Sequence, residues 1–159
     1  MIKLLLVVSV LASDRPVLVD RVAVLVDGEA ILRSEVSERA RTTSKPFTDA
    51  QSEAIEQLLV EHDATRLGLR VAPEEVDRAF ASVAEGNQLT AEQLEKEVVA
   101  QGLTLRGYRW ELARQLIRMR WLMVKLEGGG ATLSAAQRAT EERKLIAALR
   151  TAAVIEVKT

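Results

Sequence analysis

Few residues in this chain have the types and spacing that reaction chemistry needs. The strongest candidates are His62, flanked by Glu61 and Asp63, and the acidic group Glu74, Glu75 and Asp77. An imidazole between two carboxylates is raw material for acid–base catalysis or metal binding. Successive residues on a helix, however, point in different directions, so Glu61, His62 and Asp63 cannot converge on one ligand. The pattern predicts a solvated helix face there, and first-turn dipole partners at Glu74, Glu75 and Asp77. With a single histidine and no cysteine, histidine-paired metal sites, triads and thiolate nucleophiles are excluded within one chain. Gly128-Gly129-Gly130 lacks the Lys-Ser/Thr of a phosphate-binding loop and reads as a linker. Arg106, Arg109, Arg114, Arg118 and Arg120 could reach phosphates, but Glu111 interrupts them and basic–aromatic interleaving is missing. A net charge of −1 gives no bulk attraction to nucleic acid. No cofactor, metal or nucleic-acid partner is predicted.

What remains is apolar surface. Thr104 starts the longest predicted helix, which runs to about Glu127. At roughly 100° per residue, Leu105, Tyr108, Leu112, Leu116, Met119, Met123 and Leu126 fall on one stripe, and Trp110, Ile117, Trp121 and Val124 on the opposite one. A helix apolar on two opposed faces is either sandwiched between neighbours or offers one face to a partner. Trp110, Ile117, Trp121 and Val124 are therefore the candidate binding stripe, since tryptophan gives large contact area at little rotamer cost; the alternative is a second buried face. The other stripe reads as core. Met119, Met123 and Phe80 could line an adaptable groove, because methionine repacks around varied partners, or could simply fill a core.

Stepping along the chain, the elements that must hold this helix are mostly helical. Val22 to Val26, the turn Asp27-Gly28 and Ala30 to Leu32 predict a β-hairpin, with Ser34 capping a first helix to about Arg41. Thr48 with Gln51 predicts a capping box for a second helix that Gly68 stops; Pro73 opens a third, ended by Gly86-Asn87; Thr90 with Gln93 caps a fourth, ended by Gly102. Ser134 or Thr140 begins a last helix, and Val154 to Val157 closes the chain as a strand able to pair with Val22 to Val26. One hairpin is marginal alone, so this third strand matters. At the start, Lys3 and the apolar run to Ala12 predict a signal peptide over residues 1–12, the alternative being a buried N-terminal apolar strand. No other segment approaches a membrane span.

The order of elements, carried by Asp20 to Val36, Ala54 to Arg70, Val71-Ala72-Pro73-Glu74-Glu75-Val76-Asp77, Asn87-Gln88-Leu89-Thr90, Gln101-Gly102-Leu103, Tyr108-Arg109 and Gln115-Leu116-Ile117, resembles the N-terminal chaperone domain of the SurA family. Glu141 to Val157 is similar to that family's terminal helix and strand. The resemblance implies a mainly α domain whose small antiparallel sheet is formed by the N-terminal hairpin and the C-terminal strand. Residues 13–127 would be the helical core, 128–133 a glycine linker where family members carry parvulin isomerase domains, and 134–159 the helix and strand that complete the same domain. It also implies a periplasmic, ATP-independent chaperone for unfolded outer-membrane or envelope proteins, active in protein folding and outer-membrane protein assembly through peptide binding. Parvulin sites draw on paired histidines with a cysteine or aspartate, so isomerase activity is not expected. The alternatives are an isomerase-family protein with residual activity and a dimerising or docking module of an envelope assembly machine. A homodimer that swaps the C-terminal helix and strand is a further expectation.

Overall fold

The computed structural model describes residues 20–126 and 133–158. The expected signal peptide and the three glycines fall outside the described residues.

The fold begins with two antiparallel strands, β1 (Val22–Val26) and β2 (Glu29–Leu32). Asp27 and Gly28 both take positive φ, 50° and 86°, the geometry a two-residue hairpin turn demands and the reason for an Asp-Gly pair there. Six helices follow among the described residues: α1 (Arg33–Thr43), α2 (Phe47–Arg66), α3 (Pro73–Gly86), α4 (Ala91–Ala100), α5 (Leu105–Lys125) and α6 (Ala135–Ala152). The last strand, β3 (Ile155–Val157), returns to pair antiparallel with β1, Val24 opposite Val157 and Val26 opposite Ile155. Sheet order is β2-β1-β3, so the final strand makes the first one central. Asp27 clamps the return twice: its N–H donates to the Val154 carbonyl at 2.9 Å and its carboxylate accepts from the Val154 N–H at 2.8 Å.

Several helix starts follow the predicted capping chemistry and two do not. Thr90 and Gln93 form the reciprocal box of α4, and Ser134 with Gln137 forms the same device on α6, which settles the start of the last helix. Pro73 is the first residue of α3, with Glu75 reaching back to the Ala72 N–H at 2.9 Å. Ser34, in contrast, is not the cap of α1. That helix starts at Arg33, and the Ser34 N–H and hydroxyl both donate to Asp20, a carboxylate brought in from before β1. Nor do Thr48 and Gln51 form a capping box: α2 opens directly after Pro46, whose ring fixes the entry φ without a side-chain acceptor.

The interior is three clusters. The first packs β1 and β2 (Val24, Val26, Ile31) on Val36 of α1 and on Ala50, Ile55, Leu58 and Leu59 of α2. The second joins Phe80 and Ala84 of α3 to Leu94 and Val98 of α4 and Leu112 of α5. The third joins Val60 and Ala64 of α2, Trp121 of α5 and Ile146 of α6. Among the described residues, α5 is the one helix that serves both the second and the third clusters.

Candidate functional site

Helix α5 has 21 residues, about 31 Å at 1.5 Å per residue, and it changes neighbours halfway. Its first half lies on α3 and α4, burying Leu112 with Leu105 and Tyr108 packed beside it. Its second half lies on α2 and α6, burying Trp121 with Ile117 and Leu122 alongside. Because the second set of neighbours sits on the opposite side of the helix, each apolar stripe is covered along part of its length and open elsewhere. Met119 and Met123, beyond the reach of the ten-residue α4, are 57% and 62% exposed. Trp110, at the other end of the opposite stripe, is 54% exposed. Val124 is also exposed, and Ile117 is half-buried.

Two sequence-based placements are corrected here. Trp121 is completely buried, because its indole N–H has a partner inside: Nε1 donates to Asp63 Oδ2 at 2.8 Å. Phe80 is buried too, edge-on to Tyr108 at 5.9 Å between ring centroids, with the Arg109 guanidinium 5.0 Å from its own centroid. Neither can meet a partner without the core opening. The expectation that the whole Leu105 to Leu126 stripe is core also fails, at Met119 and Met123.

Asp63 is the residue that sequence reasoning missed. Its carboxylate is buried and receives Trp121, Lys125 Nζ at 2.7 Å, and Arg66. Burial pushes this carboxyl up, but the hydrogen bonds from Lys125, Trp121 and Arg66 and the charge of Lys125 outweigh it and hold the group below the ordinary aspartate range. A signal was present. Leu59 and Val60 are followed at helical spacing by Asp63 and Ala64, which sets a carboxylate on the inner face of α2. His62, next to it, points elsewhere, as expected. Its Nε2 lies 2.8 Å from Glu29 Oε2, tying α2 to the hairpin rather than standing solvated.

Four arginines flanking α5 are paired with carboxylates. Arg109 pairs with Asp77, Arg114 with Glu61 at 2.6 Å, Arg118 with Glu142 at 2.6 Å, and Arg120 with Glu75 while also donating to the Arg70 carbonyl. Backbone donation from Ala72 and then the Arg120 contact hold the Glu75 carboxyl below its usual range. Arg114 has a second role: its guanidinium lies 3.9 Å from the Trp110 ring centroid, so the exposed indole is braced by a cation that α2 itself fixes. Among the described residues no cluster of three potential metal ligands occurs, and no helix is long and apolar enough to cross a membrane. A shallow cavity of about 290 Å³ between α2, α5 and α6 is lined by Glu56, Arg118, Glu142 and Arg150, already paired with one another. The arrangement along α5 is one of structural ion pairs. It provides open apolar side chains on a rigid, ion-paired helix.

The class defined by the fold is a helix-rich domain closed by its own terminal strand, with apolar side chains left open on its central helix. The SurA N-terminal domain model matches residues 19–124. The chain is 37% identical over 124 residues to Chaperone SurA of Cupriavidus pinatubonensis, covering 68% of this chain and 25% of that protein. It is 32% identical to Chaperone SurA of Ralstonia nicotianae, over 68% of this chain and 25% of the relative. A solved chain from Campylobacter jejuni, described with PEB4 and Cj1289 as a SurA-like chaperone, shares the fold at a TM-score of 0.51 and 17% identity, over 71% of this chain and 43% of that one. The chain belongs to the SurA N-terminal domain family. It spans about a quarter of the length of the curated relatives it matches.

Proposed function

We propose that this domain is an ATP-independent chaperone of the periplasm, holding extended segments of unfolded outer-membrane or envelope proteins on open apolar surface. The observation that carries the reading is the pair Met119 and Met123, more than half exposed one turn apart on a helix whose opposite face is locked to α2. Unbranched thioether side chains adapt to varied partners without a fixed pocket. Trp110 and Val124 add a second open area on the other side of α5, with Ile117 half-buried between them, while Trp121 and Phe80 act from beneath by holding the helix. Weak contacts spread over such areas allow release without nucleotide, and the ion pairs along the flanks keep the loaded surface soluble. One histidine, no cysteine and the short join from Leu126 to Ser134 between α5 and α6 support a reading without isomerase activity.

The test is aggregation suppression. The purified chain should slow aggregation of a chemically unfolded β-barrel protein. Met119→Ser with Met123→Ser should weaken that protection severalfold while changing unfolding free energy by only about 0.5 kcal/mol, as is usual at exposed positions. A wild-type chain without effect on aggregation would sink the reading. A proline-peptide assay with measurable turnover would replace it with the isomerase alternative. Light scattering that shows a stable dimer lost on Trp110→Ala would favour the docking module instead.

A further inference from the structure

The three-stranded sheet ends at β3, and its outer edge is unmatched by any described strand. The ladder to β1 is fixed by the Asp27 N–H donating to the Val154 carbonyl and the Lys158 N–H donating to the Ala23 carbonyl, both at 2.9 Å. Residues 154, 156 and 158 therefore turn their backbone groups toward β1. By alternation, the N–H and C=O of Ile155 and Val157 point away from the sheet. The side chains alternate as well. Ile155 and Val157 lie on the face where their partners Val26 and Val24 enter the core, and Glu156 and Lys158 lie on the other. Val157 is nevertheless 63% exposed, because the core stops at this edge.

We propose that the outer edge of β3 docks an extended segment of unfolded polypeptide as a fourth, antiparallel strand; this rests on the chaperone reading and names how part of the client is held. The edge selects by hydrogen bonding to backbone, which every sequence carries, and by hydropathy alternation. A client strand alternating apolar and polar residues sets its apolar side beside Val157 and Ile155. Its polar side then meets Glu156 and Lys158, which are paired with each other at 2.6 Å and make that face polar. Three residues, with Glu156 inside them and Lys158 directly after, make a short edge, the kind that resists runaway pairing, so the capture is reversible.

The probe is a synthetic nine-residue peptide of alternating Val and Thr with lysine at each end, compared with an analogue N-methylated at two adjacent central residues, which blocks both peptide edges. Saturating peptide should slow amide exchange at Ile155 and Val157 about tenfold or more, and N-methylation should abolish that protection. Val157→Pro removes an outward N–H without touching the ladder to β1, and should weaken binding roughly fivefold to tenfold, the value of one to two net hydrogen bonds. Val157→Thr, which keeps the N–H, should bind normally. Unchanged exchange at Leu25 certifies an intact β1–β3 pair; if the proline disturbs it, the methylated peptide decides alone. Equal binding of both peptides overturns the proposal, as does equal binding by wild type and Val157→Pro with the ladder intact. Protection of Ile155 and Val157 that appears without peptide and grows with protein concentration overturns it in favour of a second copy. Aggregation suppression by a Val157→Pro chain that still depends on Met119 and Met123 would sink the edge while leaving the chaperone reading in place.

Discussion

The two halves of α5 share one helix and one apolar composition, yet they are buried in opposite senses. In the first half the Leu105, Tyr108 and Leu112 side meets α3 and α4, and Trp110 is left out. In the second half the Trp121 side meets α2 and α6, and Met119 and Met123 are left out. The halves also differ in what closes them. The second cluster is apolar at its centre, with Arg109 laid over Phe80 at its margin. The third is built round a buried carboxylate with three donors. A double-striped helix thus signals a change of partner along its length, and the uncovered parts of its faces are where we place the proposed binding surface.

The largest expected effect breaks the body of the domain at its closure. Ending the chain before Ser134 removes Ile146 from the third cluster, Leu149 and Ile155 from around the first, and the partner of β1. Each large buried aliphatic is worth about 2–5 kcal/mol on truncation, and a domain of this size holds about 5–15 in total. Cooperative unfolding of the sheet and α2 should be lost, seen as collapse of amide protection in β1. Protection that persists in β1 would show that the hairpin does not need its third strand.

Next come the two aromatic centres. Trp121→Ala should cost about 3–5 kcal/mol for the cavity, with a further ~1–3 for the Asp63 acceptor left short of a donor. Phe80→Ala should cost about 3–5 kcal/mol by the cavity alone. The two losses should differ in reach as well as size. Hydrogen exchange should show Phe80→Ala loosening α3 and α4 with little change in β1, while Trp121→Ala loosens both halves, since it frees α5 from α2. Equal spread of both perturbations would mean that the two halves are one cooperative unit.

Smaller again is the acid sensitivity of the Trp121 half. The Asp63 carboxyl is held below its ordinary value, so the folded state binds its proton less readily than the unfolded chain. Its contribution is fully present above the unfolded value of about 3.9 and is lost as pH falls through the folded one. Asp63→Asn keeps an acceptor for Trp121 but removes the charge facing Lys125 and Arg66. It should cost about 1–2 kcal/mol near neutrality, and the gap to wild type should narrow in urea titrations below pH 4. Glu75, Asp20, Glu38 and Glu156 are lowered as well, so the difference between the two proteins, not the wild-type curve, carries the result.

Most of the fold was legible because its signals are local. Asp27-Gly28, Pro73, the Thr90 and Ser134 boxes and Gly68 each act within four residues, and the return of Val154 to Val157 follows from a hairpin too small to stand. The two failed caps have different causes. At Ser34 the acceptor came from Asp20, fourteen residues away, and at Thr48 a proline made the acceptor unnecessary. The site was legible only as a list of apolar positions. Which of them are open depends on where α4 ends and on α2 and α6 taking the opposite side of α5, and no residue on α5 encodes that. Asp63 was readable in spacing but looked solvated beside Glu61 and His62, because its partner Trp121 lies 58 positions away.

The smallest stability effect should come from Trp110, and it sharpens the comparison most. Its indole is more than half exposed and makes its recorded contact with Arg114, itself paired to Glu61. Trp110→Ala removes a cation–π contact worth about 0.5–1 kcal/mol at an exposed site and leaves the Arg114–Glu61 pair able to persist. Unfolding should therefore shift by less than about 1 kcal/mol, against several for Trp121→Ala, although the two tryptophans lie on one stripe of one helix. Tryptophan fluorescence separates them further. Quenching by acrylamide should report Trp110 and spare Trp121, and added unfolded client should protect Trp110 if that end of α5 is a contact. A Trp110→Ala loss as large as that of Trp121→Ala would mean the indole is covered in solution, and the open end of the first half would have to be reassigned to packing.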